Sequence, residues 1–172
     1  MIINGIALLD AAPIHDMVPG KMVGPGGTSF GLGEAGYDIR IKQTVRFRPG
    51  HREGSITVEL FDGDLKNRIS VKNGRFSLAS AMDKFQMPDD LVGIVHDKST
   101  WARRGLSVFN TVIEPGWGGF LTLELVYHGE EELVIPAGSG IAQVIFHRAS
   151  QPMHYNGKYQ DQADEPVAAK NS

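Results

Sequence analysis

Residues 118–129 read GGFLTLELVYHG. Leu121, Leu123, Leu125 and Tyr127 alternate with Phe120, Thr122, Glu124, Val126 and His128, the period of two that puts one set on each face of a β-strand. The first set is a core face. The second is mixed, and it carries a single carboxylate, Glu124. An ionised carboxylate away from water is costly unless it is paired, hydrogen-bonded or able to take a proton. Glu124 therefore either sits on a wet face or is kept for chemistry.

Short apolar runs recur on both sides of this stretch, punctuated by 21 glycines and 9 prolines, which predicts an all-β barrel or sandwich. DIRIKQTVRFRPG (38–50) alternates in the same way. Ile39, Ile41, Val45 and Phe47 point one way, and Arg40, Lys42, Thr44, Arg46 and Arg48 the other, a basic row that reads as a solvated face. Further strands are predicted at 55–61, 75–81, 91–96, 106–113, 119–127 and 141–147, with turn signals at Asp62-Gly63, Asn73-Gly74, Pro115-Gly116 and Pro136-Ala137-Gly138. One short internal helix is predicted in KSTWARRG (98–105), with Ser99 as N-cap and Gly105 as its stop, and a weaker one at 4–12. Residues 16–36, rich in glycine and without periodicity, and the polar stretch 150–172 read as mobile. Residues 1–150 thus form one domain and 151–172 a flexible tail.

The 172 residues suffice for one domain with a sizeable core. A net charge of -3 does not predict bulk nucleic-acid or membrane binding. No apolar run approaches a membrane span, and the first residues lack the basic lead of a secretory signal, so a cytoplasmic protein is expected. There is no cysteine. That removes disulfides, cysteine nucleophiles and the Cys-ligated zinc centre of common nucleobase deaminases.

Three segments offer chemistry. In KSTWARRGL (98–106), Lys98, Ser99, Arg103 and Arg104 combine a helix start with cationic side chains, two ways of holding a phosphate, or else form a capped surface helix. In NTVIEPGWGG (110–119), Glu114 stands at the entrance of a Pro-Gly turn, as a site carboxylate or as the rim of a hairpin. The third is Glu124. The six histidines show no metal-ligand spacing, and neither a phosphate-loop nor a Gly-x-Ser-x-Gly order is present.

Taken in order, AGYDIR (35–40), KSTWARRGL (98–106), VIEPGWGGFLTLEL (112–125), PAGSGIAQVIF (136–146) and YNGKYQDQ (155–162) resemble the dUTPase and dCTP deaminase superfamily. KSTWAR.GL, EPGWGGFLTLE and GKYQDQ are closer to its dCTP deaminase branch. The resemblance implies a distorted, jelly-roll-type β-barrel, a homotrimer with active sites between subunits, and a C-terminal lid over a bound deoxycytidine nucleotide. Mg2+ would arrive on the triphosphate, with no zinc and no dedicated protein ligands; Asp38 is the side chain placed near it, through water. Glu124 matches the catalytic glutamate that moves a proton between the attacking water and cytosine N3. Ser99 and Arg103 match residues that hold phosphates and orient Glu124 and its water. Lys98, Thr100, Trp101 and Ala102 belong to the same nucleotide-binding segment, with Lys98 where the family has arginine. Glu114, Thr122, Leu123 and Tyr155 are placed on the nucleoside, and Lys158 and Gln162 on the triphosphate.

Two departures bear on the substrate. GLSVFNTVIEPGW (105–117) is shorter than in deaminases, and its SVFNTVIE part (107–114) resembles the dUTPase hairpin that reads the pyrimidine. Cytosine N4 and uracil O4 demand opposite hydrogen-bond polarity from such a hairpin. Glu114 also replaces the family's aspartate, and errors of about 1 Å in placing such a group lower rates on the order of 100-fold. Weak or absent release of pyrophosphate is therefore expected. Besides dCTP deamination, the resemblance leaves open a dUTP diphosphatase or bifunctional enzyme giving dUMP, a deaminase of dCMP or a modified dCTP, and a non-catalytic nucleotide-binding trimer.

Overall fold

The computed structural model describes residues 1–109 and 111–171. Asn110, inside the predicted strand 106–113, and Ser172, the last residue of the predicted tail, lie outside the described residues. The fold is built from three antiparallel sheets that do not close into a continuous barrel.

The largest sheet runs β11 (Val112–Ile113), β9 (Leu91–Asp97), β14 (Gly140–Arg148), β4 (Tyr37–Arg40), β3 (Ser29–Leu32) and β2 (Lys21–Val23), with β1 (Ile2–Ile3) also pairing β14. A second sheet places β12 (Gly118–Tyr127) between β10 (Leu106–Val108) and β8 (Phe76–Gln86). The third orders β13 (Leu133–Ile135), β5 (Thr44–Pro49), β6 (Ile56–Phe61) and β7 (Arg68–Asn73). Residues from all three sheets join one buried cluster, in which the rings of Phe47 and Tyr127 lie 5.2 Å apart and those of Phe85 and Trp117 6.0 Å apart. α1 (Gly5–Ala11) sits near the first strand, and α2 (Ser99–Ala102) follows β9.

Several expectations are corrected. The stretch 16–36 is not a plain loop: β2 pairs with β3, and β3 pairs with β4 through Gly31 opposite Asp38. The alternating stretch 38–50 is two strands in two sheets, and Lys42 and Gln43 lie at the crossing. Its alternation survives because Ile39, Ile41, Val45 and Phe47 all stay buried across the break. The basic row is only partly solvated. Arg40 donates to buried Asp83 at 2.7 Å, Arg46 pairs with Glu132 at 2.8 Å, and Arg48 pairs with buried Glu59 at 3.1 Å. The predicted strand 106–113 divides between β10 and β11, which belong to different sheets. The Pro115-Gly116 turn is accordingly a corner between sheets rather than a hairpin. There, Trp117 N donates to Glu114 O at 3.2 Å, and Gly116 takes φ 74°, as a tight turn with proline before glycine requires.

Candidate active site

β12 is the middle strand of its sheet, with Leu125 opposite Val108 on one side and Glu124 opposite Leu78 on the other. Leu121, Leu123, Leu125 and Tyr127 are buried, whereas Thr122 and Glu124 are half-buried on the opposite face, as the alternation requires. The Glu124 carbonyl accepts from Phe109 N at 3.0 Å, so the backbone that carries the carboxylate is fixed from both neighbours. Glu124 lines a cavity of about 490 Å³ together with Thr122, Glu114, Trp117, Tyr155 and Gln162. That volume lies within the range of about 300–1,000 Å³ typical of small-ligand sites.

The C-terminal segment completes the wall. Trp117 Nε1 donates to Tyr159 O at 2.7 Å, and Gln160 bridges the turn by donating to Gly116 O at 3.0 Å and accepting from Gly118 N at 3.1 Å. Gln162 bridges in parallel to Gly119, and its carbonyl accepts from Phe120 N at 3.0 Å. Its amide donates to Phe120 O at 3.0 Å and to Thr122 Oγ1, and Val167 N donates to the same hydroxyl at 3.1 Å. The close approach depends on Gly119. At φ 126° it has no room for a side chain, since a Cβ would lie 2.4 Å from Gln162 N.

The segment 98–105 is built differently from its prediction. Lys98, not Ser99, is the residue before the first helical turn, and Ser99 is its first member. Gly105 does end the segment with φ 84°. Trp101 is buried and donates from Nε1 to Gly140 O at 2.7 Å, so it anchors the turn in the core. Ser99, Thr100, Ala102 and Arg103 are exposed. Lys98 turns inward: its ammonium contacts Asp38 Oδ2 and donates to Ser29 Oγ at 3.0 Å. The charge expected on a phosphate is engaged by an internal carboxylate, and Asp38 keeps only a buried Oδ1 without a hydrogen-bond partner.

The structure thus brings Glu114, Glu124, Thr122, Tyr155 and Gln162 together around one cavity. Ser99, Thr100 and Arg103 line no part of it. Leu123 packs in the core, and Lys158 is not among the lining residues and donates to Lys170 O at 2.6 Å. Sequence reasoning did not single out Phe76, Leu78, Thr111, Trp117 and Val167 as lining residues, and named Tyr159 only as part of the lid. Trp117 and Tyr159 stood inside quoted motifs, where an aromatic beside a Pro-Gly turn and another in a polar tail were the available signals.

The fold is similar to that of dUTPases. The dUTPase of Staphylococcus bacteriophage 80alpha superposes with a TM-score of 0.50 at 16% identity, over 73% of this chain and 83% of that one. That of phage phi11 of S. aureus gives 0.50 at 14% identity, over 73% and 84%. In sequence, the chain is 36% identical to the dCTP deaminase of Campylobacter fetus over 152 residues, 81% of each chain. It is 30% identical to that of Acidobacterium capsulatum over 152 residues, 83% of each. The family model described as dCTP deaminase-like matches residues 10–149, and the chain belongs to that family.

Proposed function

We infer that this protein is a hydrolytic enzyme that converts dCTP and water to dUTP and ammonia. The observation that carries this reading is the seat of Glu124, a half-buried carboxylate on the central strand of its sheet, facing a nucleoside-sized cavity in a chain of this family. Glu124 takes a proton from water as the oxygen bonds to C4 and returns it toward N3. The hydroxyl proton left on C4 then passes through Glu124 to N4, the C4–N4 bond breaks, ammonia leaves and C4 keeps the oxygen as a carbonyl. With no cysteine in the chain, this chemistry is assigned to the carboxylate rather than to a Cys-ligated zinc.

Among the described residues no cluster of three or more His, Asp or Glu is placed to hold a metal, and Asp38 is engaged by Lys98 and Ser29. That donor set fits Mg2+ carried on the triphosphate, where it neutralises charge, with the buried Asp38 Oδ1 as the remaining acceptor for a water. The separation of Ser99 and Arg103 from the cavity supports a homotrimer in which one subunit supplies Glu124 and its neighbour the phosphate-holding turn. Residues 151–172 act as the lid. Among the described residues no helix is long and apolar enough to cross a membrane, and the cytoplasm is the proposed location.

Glu114 on the same cavity wall favours a second reading, a bifunctional enzyme that also releases pyrophosphate to give dUMP. Incubation with dCTP and Mg2+, with ammonia and pyrophosphate both measured, separates the two. Ammonia alone is expected, both products would establish the second reading, and pyrophosphate from dUTP without ammonia from dCTP would refute deamination. Ammonia from dCMP but not dCTP would reassign the substrate. Glu124→Gln is expected to stop ammonia release while nucleotide binding persists.

A further inference from the structure

We propose that Lys42 is a positioning residue that latches the C-terminal segment over the cavity through Asp164. The inference rests on the cavity being the substrate site. Lys42 lies at the crossing between β4 and β5, and its backbone N donates to Ser80 O at 2.8 Å, which ties it to β8 beside the strand of Glu124. Its ammonium reaches Asp164 twice, at 2.6 Å to Oδ2 and 2.9 Å to the main-chain carbonyl. A cation that grips side chain and backbone together fixes the path of the chain, not only the position of one carboxylate.

The latch falls between two other points of attachment. Gln162 is held by Gly119 and Phe120, and Val167 is held by Thr122 Oγ1. Between them runs ADEP (163–166), and there Asp164 meets Lys42. Beyond it, Val167 and Ala169 form part of the cavity wall. The alternating basic row gains a distinction from this contact. Arg40, Arg46 and Arg48 are paired with Asp83, Glu132 and Glu59 of the β-sheet body, whereas Lys42 reaches the tail. Both partners are partly solvated, at 33% and 48% side-chain exposure, so the pair shifts the open–closed population modestly and does not decide the fold.

Two readouts test the latch on the full chain. Trypsin cleavage after Lys158, followed by mass spectrometry, reports tail opening without nucleotide, and steady-state kinetics with dCTP report its effect on the site. Lys42→Ala and Asp164→Ala are each expected to speed tail release about two- to fivefold and to raise KM by a similar factor, with kcat held within about twofold. The single reversals K42E and D164K are expected to open the tail further, and the double variant K42E/D164K to recover most of the loss. Single variants that match the wild type in cleavage, or a double variant no better than either reversal, would overturn the proposal. Absence of deaminase activity in the wild type would refute the functional reading instead, while the cleavage comparison would still decide the latch.

Discussion

At Lys98 two roles compete for one ammonium, and burial decides between them. Its side chain is 12% exposed and that of Asp38 4%, so the pair is internal. Removing one partner of such a pair leaves an uncompensated charge and costs about 3–5 kcal/mol. Lys98→Ala is accordingly expected to lower unfolding free energy by about that amount in urea titrations. Unchanged stability with a raised KM would return Lys98 to the phosphate. A second carboxylate sets the acid response. Burial by itself would push Glu59 up, but hydrogen bonds from Arg48 and Arg68, with Arg46 nearby, hold it below the usual value of 4.5. A folded-state value below the unfolded one stabilises the protein above about pH 4.5, and that stability is lost as pH falls through the folded value. Melting curves from neutral to acid pH are therefore expected to fall more steeply in the wild type than in Glu59→Gln below pH 4.5, although the variant starts less stable. Parallel acid limbs would remove Glu59 from the account.

Among the elements, β12 and the segment that docks on it carry the site, and they differ in how far the sequence discloses them. The faces of β12 follow from alternation because one side packs in the core and the other meets the cavity. β7 escaped notice because an edge strand reading RISVKN is mostly exposed and has no continuous apolar face. β2 and β3 were hidden by glycines that pairing tolerates. The change of sheet near Lys42 and Gln43 is silent because Gln43, though polar, keeps the inward parity and hydrogen-bonds Ser80. Glu114, Thr122 and Glu124 were legible from motif order, but Asp38 as the partner of Lys98, 60 residues away, was not. The docking of the tail is equally non-local, and it turns on Gly119. Gly119→Ala would put a Cβ against the Gln162 backbone at a φ that alanine rarely adopts, at about 1–3 kcal/mol of strain if the tail stayed. Release of the tail relieves the contact and forfeits two hydrogen bonds between Phe120 and Gln162, each contributing about 0.5–1.5 kcal/mol. KM for dCTP is therefore expected to rise about tenfold, with faster trypsin cleavage after Lys158. Wild-type KM and cleavage would show that the segment docks without Gly119.

At the scale of the whole molecule, the arrangement fits one half of the proposed shared site. Glu124 and Glu114 face the cavity, whereas Ser99 and Arg103 stand exposed and line none of it. Phe76, at the cavity, and Phe109, beside Glu124 along the chain pairing, are 48% and 51% exposed, with ring centroids 6.5 Å apart; Val112, also at the cavity, is 53% exposed. Exposed aromatic and aliphatic side chains grouped at a polar site are what a subunit interface covers. If neighbouring subunits supply the two halves, Glu124→Gln and Arg103→Ala damage different contributions to each shared site. Each variant alone is expected to be inactive or nearly so, and both are expected to sediment as the wild type does. Mixed trimers formed by co-expression then contain sites whose Glu124 and Arg103 both come from undamaged positions, about a quarter of all sites under random assortment around a closed ring. Ammonia release by the mixture at about that fraction of the wild-type rate is the expected result. A mixture as inactive as its parents would place Arg103 and Glu124 of the same subunit in one site and remove the neighbour from the chemistry.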